Sequence, residues 1–189
     1  MSFHRRRLPH WYPKGRSLFI TWHLHGSLPH GLYPPPRKTS DGRAFVWMDR
    51  YLDTARSGPM FLRQEMIAQV VVDSLFKGEQ LGHYELHAWV VLANHVHVLL
   101  TPRIEPSRLI ASLKGTTARH ANKLLGRIGQ PFWQAECYDR WVRDEDELQR
   151  ISCYIENNPV KAGLVAEAAH FPWSSAGTRP DESRRGSHE

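Results

Sequence analysis

Two short valine-rich runs, Tyr84 to Ala93 and His95 to Thr101, meet around Ala93-Asn94, and this juxtaposition constrains the fold more than any other feature of the chain. Apolar, β-branched segments of this length separated by a turn dipeptide are paired antiparallel strands. A sheet is therefore obligatory, and the segments around it must supply its remaining strands and its cover. Arg16 to His25 (RSLFITWHLH) is rich in aromatic and β-branched residues, stops at Gly26 and reads as a first strand. Gln134 to Arg143, with Tyr138, Trp141 and Val142, reads as a short last one.

The segments between have helical spacing. From Pro59 to Lys77 the apolar positions Phe61, Ile67, Val70, Val71, Leu75 and Phe76 recur near every third or fourth residue, with Gly78 as the expected cap. Ser107 to Leu125 repeats the pattern through Leu109, Ile110, Leu113, Ala121 and Leu124, and Gly126 and Gly129 close it. Glu145 to Asn157 is a third helix, with Asp144, Glu145, Asp146 and Glu147 at the end where the helix dipole favours negative charge. Pro159 is expected to end it, because a residue preceding proline avoids the α region. The order β-α-β-β-α-β-α is an α+β, ferredoxin-like split βαβ arrangement: one antiparallel sheet, β-α-β-β-α-β, with an extra C-terminal helix. In such a sheet the first strand is central and pairs with the third.

The Pro- and Gly-punctuated stretch Pro29 to Gly42, with Pro34 to Pro36 in succession, can be neither a helix nor a central strand, and Pro29 to Gly58 reads as an excursion. The domain is expected over 17–176, preceded by a basic arm (1–16) and followed by a polar tail from Gly177 without an apolar face (177–189). A length of 189 residues suits one such domain. The arm lacks the apolar core of a secretory signal. Leu86 to Pro102, free of Lys, Arg, Asp and Glu, is shorter than the roughly 20 residues that cross a bilayer and holds three histidines. No membrane partner is expected, and the location expected is the bacterial cytoplasm, with the nucleoid. Cys137 and Cys153 are far apart and fit no metal-binding or disulfide pattern.

Charge narrows the partners. Of the 25 Lys and Arg residues, six are lysine and 19 arginine, against 19 acids, for a formal charge of +6. The guanidinium fork grips phosphate through two donors, so this balance favours nucleic acid. Arg5, Arg6, Arg7, Lys14 and Arg16 lie in the arm beside Trp11 and Tyr12, which could stack on unpaired bases. Lys114, Arg119 and Lys123 on the second helix, and Arg140 and Arg143 near the last strand, are further candidates for phosphate.

The chemistry centres on Asn94-His95-Val96-His97-Val98. Residues two apart on a strand share a face, so His95 and His97 present adjacent imidazoles while Val96 and Val98 face the core. Such a pair can hold a divalent cation, but the spacing is cheap: His23-Leu24-His25 repeats it on the first strand, where a phosphate contact or a structural role is the stronger reading. A metal needs a further ligand, and transfer chemistry needs a nucleophile. Tyr154 and Asn158 lie four apart on the third helix, hence on one face. The phenol can attack phosphorus and the amide oxygen can complete the shell. A tyrosine with a pKa of about 10 needs a nearby cation for this task. No general base is evident; Glu136, Asp139 and Glu156 could equally be surface residues.

NHVHVLL, followed by FWQAECYDRWVRDEDELQRISCYIENNPVKAGLV and FPWSS, resembles the single-tyrosine HUH transposases, and most closely their branch associated with repetitive extragenic palindromes. The resemblance runs from the first strand to Ser175. It implies that Tyr154 is the nucleophile, that His95, His97 and Asn158 hold Mg²⁺ or Mn²⁺, and that the segment around Lys114-Gly115 meets DNA. The implied activity is nicking and rejoining of single-stranded or hairpin DNA through a 5′-phosphotyrosine link, in transposition or mobilisation of palindromic repeats, by a monomer or a homodimer. Leu92-Ala93-Asn94-His95 replaces the family's usual Met-Pro-Asn-His, and the excursion Pro29 to Gly58 exceeds that of compact members. A histidine-triad nucleotide hydrolase is excluded, because the third histidine position holds Leu99. The remaining alternative is a domesticated, non-cleaving DNA-binding protein on the same fold.

Overall fold

A computed structural model describes residues 15–28, 41–55 and 57–177, with the side chains of 41–44 excepted. The chain forms β1 (Leu18–His23), α1 (Asp41–Thr54), a 3-10 turn (Phe61–Arg63), α2 (Glu65–Gln80), β2 (Tyr84–Val91), β3 (His95–Pro102), α3 (Pro106–Leu124), β4 (Tyr138–Trp141) and α4 (Glu145–Lys161). The four strands lie in the order β2-β3-β1-β4, every neighbouring pair antiparallel. β1 is central and pairs with β3, as the split βαβ arrangement requires. Beyond α4, Ser174 bridges Val90 and the Val91 amide donates to the Trp173 carbonyl, so the FPWSS segment lies along β2.

The pleat sorts β1 and β3 into two faces. Leu18, Ile20 and Trp22 with Val96, Val98 and Leu100 pack against Ile67, Val71 and Leu75 of α2 and Leu109, Ile110 and Leu113 of α3. Phe19, Leu99, Ala88 and Val90 face Ile151 and Ile155 of α4. One extra residue, His87, sits between the pairs Leu86–Leu100 and Ala88–Leu99, and this bulge turns the second half of β2 over so that Ala88 reaches the α4 face. His95 and His97 also lie on the α4 side. That face is closed rather than half solvated, with the two histidines 1% and 0% exposed.

Several expectations are corrected. The excursion between β1 and α2 is not irregular throughout: its second half is α1, in which Phe45, Met48 and Leu52, spaced three and four apart, pack around Leu28 and Tyr138. Three prolines upstream stop a helix only where they stand, and none lies within 41–54. Gly78 does not cap α2. It lies within the helix because the Tyr84 ring crosses there, where a Cβ would come 2.4 Å from the phenol oxygen, and the Tyr84 hydroxyl donates to the Leu75 carbonyl at 2.6 Å. The chain turns instead at Gly82, whose φ is +71°. Nor does Pro159 end α4, which runs on to Lys161; in the last turn a missing N–H removes one helical bond only, and the buried ring packs inward. Finally, β1 stops at His23, and His25 is exposed in the following turn, so the second His-x-His is not a pair on a strand. Among the described residues no helix is long and apolar enough to cross a membrane.

Candidate active site

The site lies where β3, β1, α1 and α4 converge. His97 stands opposite Thr21 in the β1–β3 register, and its Nδ1 is held by the Thr21 hydroxyl at 2.7 Å. Its Nε2 therefore points away from the sheet, 3.0 Å from Asp49 Oδ1 and 3.4 Å from Asn158 Nδ2. His95 is oriented by its neighbour. Asn94 donates through Nδ2 to the Leu52 carbonyl at 3.1 Å, which leaves Oδ1 to accept from His95 Nδ1 at 2.7 Å. An acceptor at Nδ1 places the proton there and leaves the Nε2 lone pair facing the site.

Helix α4 delivers Tyr154 and Asn158 from successive turns of one face, with Lys161 one turn further on. The Tyr154 hydroxyl donates to Asp49 Oδ2. Lys161 Nζ lies 3.7 Å from that same oxygen and 5.0 Å from the centre of the Tyr154 ring. Helix α1 supplies two acids one turn apart: Asp49, and Asp53, whose Oδ1 is 3.5 Å from His95 Nε2. Phe19 and Phe45 wall the cluster, with ring centres 5.7 and 6.2 Å from that of His97.

The electrostatics are those of a site built for positive charge. Burial, reinforced by His97, keeps His95 well below its ordinary pKa and hence neutral. Burial pushes the Asp53 carboxyl up to about 6, with Asp49 adding to the effect. Burial would raise Asp49 as well, but the contact with His97 and the Tyr154 hydroxyl outweighs it and holds this carboxyl at about 2. Burial, and then the Asp49 charge, drives the Tyr154 phenol well above its usual range. At the site four buried atoms lack a hydrogen-bond partner among the described residues: His95 Nε2, Asp49 Oδ1, Asp53 Oδ1 and Asn158 Oδ1. Asp49 Oδ1 approaches His97 without the alignment of a hydrogen bond. Ligand atoms of Asp49, His95 and His97 all lie within 4.8 Å of one another. Orphaned acceptors around two imidazoles are costly unless a cation shares them, so this buried group can bind a metal ion.

The residues expected from sequence are thus brought together in one place: His95, His97, Tyr154 and Asn158. The DNA-contact candidates scatter. Lys114 donates to the carbonyls of Gln134 and Ala135 at 2.7 and 2.8 Å, holding the approach to β4. Arg140 and Arg143 both engage Glu147 at 2.8 Å, and Arg16 donates to the Arg143 carbonyl at 2.8 Å. Arg119 and Lys123 are exposed on α3. Arg5, Arg6, Arg7 and Lys14 lie outside the described residues. The acid that accepts the Tyr154 hydroxyl is Asp49, which was not among the bases considered from sequence, Glu136, Asp139 and Glu156.

Sequence reasoning missed Asp49, Asp53 and Lys161. The signal for the two acids is an Asp-x-x-x-Asp spacing interleaved with Phe45, Met48 and Leu52, masked by the proline-rich stretch that precedes it. Lys161 completes the Tyr154, Asn158, Lys161 face once the helix is allowed to pass Pro159.

An HUH-like pair on a central strand, with a tyrosine and an amide on a helix laid across it, defines a tyrosine-transposase type of architecture. Residues 61–158 match the family model described as Transposase IS200 like, just over half of the chain, and the chain belongs to this family. The match includes both histidines, Tyr154 and Asn158, and leaves α1 and Lys161 outside. The REP-associated tyrosine transposase of Escherichia coli (strain K12) is 29% identical over 111 residues, 57% of this chain and 63% of that relative. The matched segment thus spans less than two thirds of the relative's length. A solved REP-associated tyrosine transposase bound to a REP hairpin superposes with a TM-score of 0.58 at 22% identity, over 100% of this chain and 89% of the other, which shows a shared fold.

Proposed function

We propose that this chain nicks and rejoins single-stranded or hairpin DNA, with Tyr154 as nucleophile. The observation that carries the reading is the convergence of Tyr154 and Asn158 from α4 on His95 and His97 from β3. In the cleavage step the phenol oxygen bonds to a backbone phosphorus, the bond to the 3′ oxygen breaks, and the proton is transferred to the departing 3′-hydroxyl, leaving a 5′-phosphotyrosine. The reverse attack by a 3′-hydroxyl rejoins the strand, so phosphodiester energy is conserved.

His95, His97 and Asn158, joined by Asp49, would hold Mg²⁺ or Mn²⁺; the two nitrogen donors favour Mn²⁺ and the oxygens suit either. Bound there, the ion supplies electrostatic polarisation of the phosphate and of the phenol. The protein's own groups do the rest. Thr21 and Asn94 aim the imidazoles, Asp49 accepts the Tyr154 hydroxyl and orients it, and Phe19 and Phe45 exclude water. Residues 17–176 form the catalytic domain in this reading, with 1–16 as a phosphate-tracking arm and 177–189 as a tail. Arg119 and Lys123, exposed on α3, with the arm cations, would follow the DNA backbone.

The test is covalent capture. The full chain, incubated with Mn²⁺ and a pool of labelled single-stranded and hairpin oligonucleotides, should give a protein–DNA species that survives a denaturing gel, and Tyr154→Phe should give none. No adduct from the wild type, or equal adduct from Tyr154→Phe, overturns the proposal; DNA binding without any adduct would identify a non-cleaving DNA-binding protein.

A further inference from the structure

We propose that Lys161 is a catalytic residue that holds the scissile phosphate beside Tyr154, an inference that rests on the transferase reading above. Tyr154 Oη and Lys161 Nζ converge on a single anionic oxygen, Asp49 Oδ2, the one accepting a hydrogen bond and the other lying 3.7 Å away. Two donors converging on one carboxylate oxygen make a small anion cradle. A phosphodiester approached by the phenol oxygen necessarily brings its non-bridging oxygens to the same neighbourhood, where they meet the same ammonium.

The ordinary explanation of a lysine in a last helical turn is that it complements the helix dipole and the terminal carbonyls. Those carbonyls are already occupied: Asn158, Val160 and Pro159 accept from the amides of Ala162, Gly163 and Leu164 at 2.8 to 2.9 Å. Lys161 turns back along the helix instead, over the Tyr154 ring. Its side chain remains 58% exposed, so the ammonium can be reached by a strand arriving from solvent. The carboxylate of this pair is buried but its ammonium end lies in solvent, 3.7 Å away, so the lysine can turn from Asp49 to a phosphate without itself being buried or uncovered. By contrast, Arg140 and Arg143 both engage Glu147.

The step balances as written above. Lys161 forms and breaks no bond; it donates hydrogen bonds to the non-bridging oxygens, on which negative charge builds as the phenol oxygen adds and the 3′ oxygen departs. Removing one such donor typically costs on the order of 10²- to 10³-fold in rate.

The experiment uses the full chain with Mn²⁺ and the oligonucleotide of the pool that gives adduct, its cleavage point mapped. Lys161→Met keeps the aliphatic stem over the ring and should slow adduct formation about 100-fold, while Mn²⁺ affinity measured by calorimetry stays within about twofold; Lys161→Arg should recover most of the rate. The decisive arm replaces the scissile phosphate by an uncharged methylphosphonate. There the wild type's advantage over Lys161→Met should collapse to within about threefold, because no anionic oxygen is left to hold. If Lys161→Met matches the wild type on phosphodiester, or loses equally on methylphosphonate, the assignment is wrong while the nucleophile reading stands. If the wild type forms no adduct with any oligonucleotide, the transferase reading falls and takes this inference with it.

Discussion

At the scale of single residues, the site is decided by who holds the imidazoles. The spacing of His95 and His97 was legible because alternation on a strand is a property of the backbone alone. Their partners were not: Thr21 is 76 residues from His97 and meets it only through the β1–β3 register. Outer hydrogen bonds of this kind typically carry 10- to 100-fold in metal affinity. Thr21→Val should therefore weaken Mn²⁺ binding by about that factor, read by calorimetry, without altering the circular dichroism of the fold. Asp53 gives a prediction with two opposite signs. Its carboxyl titrates near 6 in the folded chain, above the ordinary 3.8, so above pH 6 the ionised group costs stability. Asp53→Asn should stabilise the metal-free protein at pH 7 by as much as about 3 kcal/mol and should shrink the thermal stabilisation that Mn²⁺ confers. Chemical denaturation with and without Mn²⁺ measures both.

At the scale of elements, periodicity located β1 to β4 and three of the four helices, and where it failed the failures share a cause. Pro and Gly suggest boundaries in the sequence, yet each acts only on its immediate neighbours. Pro159 sits in a last turn where one lost hydrogen bond is tolerable, and Gly78 is present because Tyr84, six residues on, needs its space. Gly78→Ala would improve helix propensity in isolation. In this fold it should instead destabilise by roughly 1 to 3 kcal/mol, because the new methyl meets the Tyr84 ring and strains its bond to Leu75. Urea midpoints compared with those of Gly78→Ala in a Tyr84→Phe background separate the hydroxyl contact from the ring. Helix α1 illustrates the opposite lesson, for its apolar spacing was in the chain and only its inward acids, Asp49 and Asp53, reveal why it is there.

At the scale of the whole molecule, acid sensitivity follows from groups buried in defined charge states. Burial holds His23 at about 4, below its ordinary 6.5, so the neutral ring it contributes is fully stabilising above pH 6.5 and that stability is lost as the pH falls toward 4, by about 3 kcal/mol in all. The hydrogen bonds from Arg143, aided by Arg140, hold Glu147 at about 2, below its ordinary 4.5. Its contribution is present above pH 4.5 and is lost between there and 2. Between pH 6.5 and 4 the loss from His23 is set against the relief of Asp53, which regains its proton there, so this stage should emerge fully only in Asp53→Asn; below pH 4.5 Glu147 and Asp49 both lose their contributions, so Glu147→Gln should shrink the lower fall in urea-measured stability without abolishing it. What the chain alone determined is whatever depends on local geometry: strand alternation, the helical face of Tyr154 and Asn158, the acidic start of α4, and hence which side chains to look for at one site. Only the tertiary structure decided that α1 closes over the histidines, that Asp49 links Tyr154, His97 and Lys161, and that Lys114, Arg140 and Arg143 face protein partners. Those contacts join residues as distant as Asp49 and Tyr154, 105 positions apart, and Asp49 and Lys161, further still, and side chains so distant are brought together by packing of the sheet's two faces, which no local pattern records.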